Sequence, residues 1–240
     1  MTTDATDPTD AEPAADGGDP SPVVVFDVNE TLLDLAPVRA VVDELLGPEG
    51  GAAVWFQRLL QLAMLTEVTG RHHDFTALAE SAFHAVGRRG DRTVERGSWS
   101  RVADAFGELR AFPDVAPGLE RLRADGWTVV ALTNSAADRA PAQLAGAGID
   151  GLFDHVVSVD VVETFKPYPA PYLHVAELVG RPAGSLWMVA AHDWDLAGAR
   201  AAGLRTAFVR RPGATYADVL TPADVEVDDV EALAVRFART

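Results

Sequence analysis

The chain has 240 residues, enough for one sizeable core and a smaller accessory domain. With 48% hydrophobic and 23% charged residues its make-up is that of a globular enzyme, and the absence of cysteine excludes disulfides, thiol nucleophiles and zinc–thiolate sites. The formal net charge of −16 makes nucleic acid and anionic membranes poor partners.

Residues 1–20 carry six acids, no base and almost nothing to bury. They read as a disordered acidic tail. There is no basic-then-apolar leader and no apolar run near the roughly 20 residues of a membrane span, so the expected location is cytoplasmic. At Val23-Val24-Val25-Phe26 the composition changes to a short apolar run between Pro22 and Asp27, the mark of a buried parallel strand. From about Val38 to Arg110 the pattern is helical and shows no strand: Trp55, Leu59, Leu62 and Ala63 fall at helical spacing, as do Phe75, Leu78, Ala79 and Ala82.

From Phe112 onward strands and helices alternate. Thr128–Leu132, His155–Ser158, Leu186–Ala190 and Thr206–Val209 read as strands, with helices at Gly118–Ala124, Pro171–Leu178 and Leu196–Ala202. This alternation predicts an α/β fold with a parallel sheet. Residues 21–35 and 112–240 form its core domain, and 36–111 form a helical cap inserted after the first strand.

In open parallel sheets ligands sit beyond the carboxyl ends of the strands. Polar residues stand at four such places: Asp27-Val28-Asn29-Glu30-Thr31, Thr133-Asn134-Ser135, Lys166-Pro167 and Ala191-His192-Asp193-Trp194-Asp195. Singly, Asp27 and Asn134 are ordinary helix-cap residues and Lys166 an ordinary surface charge. Together they outline a site. An aspartate can attack carbon or phosphorus to form a covalent ester, and a lysine beside it favours its charged form and offsets an anionic substrate. Lys166 is the only lysine in a chain that otherwise uses arginine, which fits a place that needs a compact point charge.

The set FDVNETLLD, LTNS, KPYPAPY and VAAHDWDLAGARAAG resembles the four motifs of the haloacid dehalogenase (HAD) superfamily. WFQRLLQLAMLTEVTGRHHDF is similar to a cap helix and turn of the type II L-2-haloacid dehalogenases. The resemblance covers roughly residues 22–235. It implies a three-layered, Rossmann-like parallel core with a helical cap, and hydrolytic dehalogenation of short 2-haloacids through an aspartyl ester, without a metal. It makes Asp27 the nucleophile and Thr31 its orienting group. Thr133 and Asn134 match the second motif, Lys166 the third, Tyr172 a tyrosine that follows it, and Asp195 the last acid. Val28, Asn29, Thr133, Asn134, Tyr172, Trp194 and Phe56 are the expected substrate contacts, and a small anionic substrate and a possible homodimer are the expected partners.

Magnesium-dependent phosphatases of the same superfamily are the alternative, with magnesium as cofactor. They carry a second aspartate two residues after the nucleophile, where Asn29 stands and cannot act as acid or base. They also place a metal-binding aspartate four residues before the final acid, where Ala191 stands. The chain departs from the dehalogenase pattern too. Phe56 follows the cap-helix Trp55 where those enzymes have a halide-binding arginine, leaving Arg58, on another helix face, and Arg39 as candidates. His192 stands where an asparagine is expected. It either helps Asp195 activate water or is a hydrogen-bonded supporting residue. A catalytically silent ligand-binding member is a further alternative. Arg71-His72-His73-Asp74 offers no third placed metal ligand, and Gly198 and Gly203 serve helix packing and helix ending.

Overall fold

The structure, a computed structural model, describes residues 21–47, 51–89, 94–95 and 97–239; the tail expected at 1–20 lies outside them. Six parallel strands form the central sheet. They are β1 (Val23–Phe26), β4 (Thr128–Thr133), β5 (His155–Ser158), β6 (Leu186–Ala190), β7 (Arg205–Val209) and β8 (Val225–Val227), in the spatial order β5-β4-β1-β6-β7-β8. Strand β1 lies between β4 and β6, with Phe26 level with Ala131 and Val189. Strand order therefore reverses at β1, and the crevice that opens there begins at Asp27.

Every residue of β1 is buried because both sheet faces are covered. Val24, Phe26, Val129 and Ala131 pack on the side of α5 (Val115–Ala124) and α9 (Val230–Phe237). Val23, Val25, Val130 and Leu132 pack against Tyr172, Val175, Leu196 and Ala199 of α7 (Pro169–Leu178) and α8 (Asp193–Ala201). These are the three layers of an α/β fold. Helix α6 (Arg139–Gly146) connects β4 to β5.

Among the described residues four helices lie between β1 and α5: α1 (Ala36–Leu46), α2 (Gly51–Thr69), α3 (Phe75–Arg89) and α4 (Ser98–Ala105). Trp55, Leu59 and Ala63 of α2 meet Leu78, Ala79, Ala82 and Phe83 of α3 in one buried cluster, and Trp55 donates its indole N–H to Ala79 O at 2.9 Å. Where the chain enters and leaves these helices, β2 (Leu33–Asp34) and β3 (Arg110–Ala111) pair antiparallel. The helical reading of this stretch missed that ribbon, because two residues per strand carry no alternation to read. The sequence reading also missed β8, a strand of three residues, too short a run to set apart from a loop. Helices α7 and α8 begin two and three residues before their apolar pattern does. Pro169 fits the first turn of α7 and Asp193 and Asp195 fit the first turn of α8 without being apolar.

Candidate active site

Lys166 is the centre of the cluster. Its Nζ donates to Asp27 Oδ1 at 2.7 Å, Asp195 Oδ2 at 2.6 Å and Leu132 O at 3.0 Å, so all three donors of the ammonium are used. The side chain is 1% exposed. Burial alone works against the charged amine, but the carboxylates of Asp195 and Asp27 outweigh it and hold Lys166 above the usual lysine range. Its backbone is also fixed, since Lys166 N donates to Asn134 Oδ1 at 3.0 Å.

Asp27 leaves the end of β1 with its own N–H on Val189 O at 3.0 Å. Its second carboxylate oxygen accepts from Thr31 Oγ1 at 2.7 Å, and that hydroxyl accepts from Ala191 N at 2.9 Å. Thr31 thereby ties the loop after β1 to the loop after β6. Asp195 is fully buried, with Tyr172 Oη on its Oδ1 at 2.5 Å and Lys166 on its Oδ2. Burial raises the Asp195 carboxyl, Lys166 opposes that, and the charge of Asp27 adds to it. Burial and the Asp195 charge push the Tyr172 phenol well above its ordinary value, so it stays a donor.

This closeness depends on Gly198. A Cβ there would run into the carbonyl and ring of Pro167, so the missing side chain lets α8 lie directly against the segment carrying Lys166. Further out, Arg211 donates from Nε to Thr31 O at 2.9 Å and grips Asp114 with both terminal nitrogens at 2.7 and 2.9 Å. Although burial alone would raise the Asp114 carboxyl, Arg211 and the Val230 N–H together hold it below the usual range.

The second half of the site faces the inserted helices. Beside a cavity of about 640 Å³, the His192 ring stacks between Phe56 of α2 and Trp194 of α8, with centroids 5.8 and 5.4 Å away. His192 Nε2 stands 3.9 Å from Asp27 Oδ2, 3.6 Å from Glu30 Oε2 and 3.3 Å from Asn29 O. Glu30 has φ +63°, a left-handed conformation that is strained for a non-glycine residue. Its Oε1 meets Arg39 Nη1 at 2.5 Å, and Arg39 also reaches Asp34 at 3.0 Å. On the other side, a small cavity of about 50 Å³ is lined by Asn29, Ser135, Leu59, Phe75 and Trp99 among others. Asn29 Nδ2 donates to Ser135 Oγ at 3.1 Å, while its buried Oδ1 has no partner. A larger groove of about 870 Å³ between α2 and α3 holds Arg58, Arg88 and Arg89 but none of the clustered residues.

The sequence-predicted residues thus separate into three groups. Asp27, Thr31, Lys166 and Asp195 come together. Thr133, Asn134, Tyr172 and Val28, expected as substrate contacts, are buried behind them. Thr133 Oγ1 accepts from Ser135 N at 3.0 Å, Asn134 holds Lys166 N, Tyr172 holds Asp195, and Val28 O accepts from Leu32 and Leu33 N–H. Each of these bonds holds a neighbouring residue of the site in place. Asn29, Phe56, His192 and Trp194 line the openings. The polar neighbours of His192 are Asp27, Glu30 and Asn29, while both Asp195 oxygens are held by Lys166 and Tyr172, so the geometry does not pair His192 with Asp195. Arg58 lies in the outer groove, bonded to Gln61 at 2.5 Å, and Arg39 is held by two carboxylates.

Sequence reading missed Glu67, whose carboxylate accepts from Phe165 N at 3.0 Å, and the contact of His72, weighed there only as a metal ligand, which stacks on Phe165 at 5.0 Å. Both clamp the inserted helices onto the residue before Lys166, and no sequence signal links positions so far apart. Arg71-His72-His73-Asp74 is an exposed turn whose Asp74 caps α3 through Ala77 N. Among the described residues no group of three or more His, Asp or Glu is placed to hold a metal.

The buried cluster of Asp27, Lys166 and Asp195 lies at the strand-order reversal, where open parallel sheets bind their ligands. Residues 22–203 match the family described as haloacid dehalogenase-like hydrolase. The chain belongs to that family. It is 31% identical over 191 residues to the (S)-2-haloacid dehalogenase of Xanthobacter autotrophicus, an alignment covering 78% of this chain and 74% of that protein. It is 27% identical over 216 residues to the (S)-2-haloacid dehalogenase of Pseudomonas sp. (strain YL), covering 89% and 93%. The structure of the X. autotrophicus L-2-haloacid dehalogenase with chloropropionic acid covalently bound superposes with a TM-score of 0.80 at 26% identity, covering 91% of this chain and 98% of that one.

Proposed function

We propose that this chain is a hydrolytic 2-haloacid dehalogenase that forms an aspartyl ester on Asp27. The observation that carries the reading is the Asp27 carboxylate, bound by the Lys166 ammonium at 2.7 Å and the Thr31 hydroxyl at 2.7 Å at the mouth of the crevice. One carboxylate oxygen attacks C2 of a short 2-haloacid. The C–O bond forms, the C–halogen bond breaks, and halide leaves with the bonding pair. Water then adds to Cγ of Asp27, the bond from Cγ to the alkyl oxygen breaks, and that oxygen takes up a proton. The products are a 2-hydroxy acid, halide, one proton and Asp27 carrying one oxygen from water. Residues 36–111 act as the cap, which walls the larger cavity through Phe56 and the smaller one through Leu59 and Phe75.

The residues present do not fit magnesium. Asp27 and Asp195 share the Lys166 ammonium, and Thr31 and Tyr172 donate to their other oxygens, so each carboxylate oxygen of the pair already has a donor. Ala191 supplies no further ligand.

The test is a single turnover of 2-chloropropionate in ¹⁸O water, followed by mass spectrometry of the peptide containing Asp27. Label in Asp27, with halide release that persists in EDTA, is the expected result. Label only in the hydroxy acid overturns the ester route, and loss of activity in EDTA with recovery in magnesium overturns the metal-free reading.

A further inference from the structure

The reaction moves a negative charge: it leaves Asp27 when the ester forms and reappears on the departing atom. A cation beside both positions would serve the whole displacement. Lys166 cannot follow the charge, because its three donors are held by Asp27, Asp195 and Leu132 O. Arg211 is bidentate on Asp114, and Arg39 is bound to Glu30 and Asp34. Phe56, the cap side chain stacked on the His192 ring at the opening, has no donor.

We propose that His192, clasped between Phe56 and Trp194, is the group that receives the departing halide, doing from the core what this chain's cap helix does not do. The inference rests on the dehalogenase reading and adds the leaving-group site to it. Its Nε2 faces three oxygens, those of Asp27, Glu30 and Asn29, so that nitrogen carries a hydrogen. A general base with its carboxylate on the opposite ring nitrogen is a different geometry. At 3.9 Å, Nε2 is not bonded to Asp27 Oδ2 and does not blunt it. An attacking oxygen approaches carbon at roughly 3–3.5 Å, with the departing atom one bond further along the line, so a leaving atom on the cavity side lies within reach of the same N–H. The stacked rings fix the imidazole in place and exclude water from its faces, which strengthens a charge-assisted bond.

The charged groups around His192 come from three elements. The loop after β1 contributes Asp27 and Glu30, α1 contributes Arg39 through Glu30, α8 contributes Asp193, and α2 contributes none. The Asp193 carboxylate is taken up by the N–H groups of Trp194 at 2.7 Å and Ala217 at 3.0 Å. Two carboxylates, those of Asp27 and Glu30, therefore face the ring.

The experiment measures kcat and KM against pH for wild type, His192→Ala and His192→Gln, with 2-bromo- and 2-chloropropionate. His192→Ala should lower kcat on the order of 10²-fold with little change in KM. The loss should be greater for chloride, the poorer leaving group, and one limb of the wild-type pH profile should vanish. His192→Gln, which keeps a donor without the charge, should recover part of the rate and no pH limb. Phe56→Arg in the His192→Ala background should restore activity by bringing a guanidinium to the same opening. An equal loss for both halogens with the pH limb intact makes His192 a packing residue and overturns the proposal. A separate arm titrates bromide at constant ionic strength and follows Trp194 fluorescence, with Trp194→Phe as control. A saturable change in wild type that is absent in His192→Ala supports the site, and no change in either overturns it. If wild type releases no halide from any 2-haloacid, the dehalogenase reading fails while this arm still decides the role of His192.

Discussion

The two halves of the site are built on opposite principles. At the sheet rim, Asp27, Thr31, Lys166, Tyr172 and Asp195 are buried and every polar side-chain atom of the cluster has a partner. At the opening that faces the inserted helices, Asn29 Oδ1 has no partner, Glu30 sits in a strained conformation, and His192 is held by ring stacking and distant charges. The contrast separates what a reaction needs from what a substrate needs. A nucleophile and its counter-charge must be preorganised before anything binds. The surfaces that meet a ligand must keep unspent donors, acceptors and space.

The rim should therefore tolerate nothing. Asp27→Asn is expected to lower kcat by at least about 10⁴-fold, as loss of a covalent nucleophile does, with far-UV circular dichroism unchanged. Freshly purified variant, its substitution verified by mass spectrometry, yet retaining a tenth of the rate, would remove Asp27 from the mechanism. Lys166→Ala should cost about 10²–10³-fold, and Lys166→Arg should not restore it, because a planar guanidinium cannot serve Asp27, Asp195 and Leu132 O from one point. A loss below threefold in initial rate would show that the two carboxylates do not need the lysine between them.

Support behind the rim should show in stability. Gly198→Ala forces a methyl into Pro167 and should cost about 3 kcal/mol, the upper end of overpacking, with activity falling as Asp195 is pushed off Lys166. Urea unfolding of the variant within 0.5 kcal/mol of wild type, roughly the range of inconsequential surface changes, would mean that α8 does not rely on this approach. Asp114→Asn should cost roughly 1.5 kcal/mol through its bonds to Arg211. The Asp114 carboxyl is held below its unfolded value, so its contribution is complete above the unfolded carboxylate range and is lost as pH falls through the folded value. The difference between wild type and Asp114→Asn should shrink on acidification; a difference that grows would reverse the sign.

The same division explains what the sequence disclosed. Strand β1 and Asp27 were legible because a run of four buried residues followed by a carboxylate is a local pattern, and the positions of Lys166 and Asp195 follow once the alternation of strands and helices is read. The inward turn of Asn134 and Tyr172 was not legible. A motif says which loop a residue stands on, while packing decides whether its side chain faces substrate or the lysine backbone. The stack of Phe56, His192 and Trp194 joins helix α2 to the start of α8, far away in sequence, and has no local signature at all. Nor has the clamp of Glu67 on Phe165 N. The ribbon β2–β3 was missed because its pairing is tertiary and each strand is two residues long.

The opening should yield the smallest effect on stability. Glu30 has φ +63°, a conformation glycine adopts without penalty. Glu30→Gly relieves roughly 1 kcal/mol of left-handed strain and gives up an ion pair with Arg39, whose side chain is 40% exposed and whose partnership at such exposure contributes about 0.2–1 kcal/mol. The two terms nearly cancel, so urea unfolding should shift by less than about 0.5 kcal/mol. Activity should still change, because Glu30 faces His192 and holds Arg39 beside it. A destabilisation above about 2 kcal/mol would place Glu30 in the class of buried structural contacts. The opening would then be as tightly built as the rim, and the strained backbone at Glu30 would be holding the fold together instead of presenting a carboxylate to the imidazole.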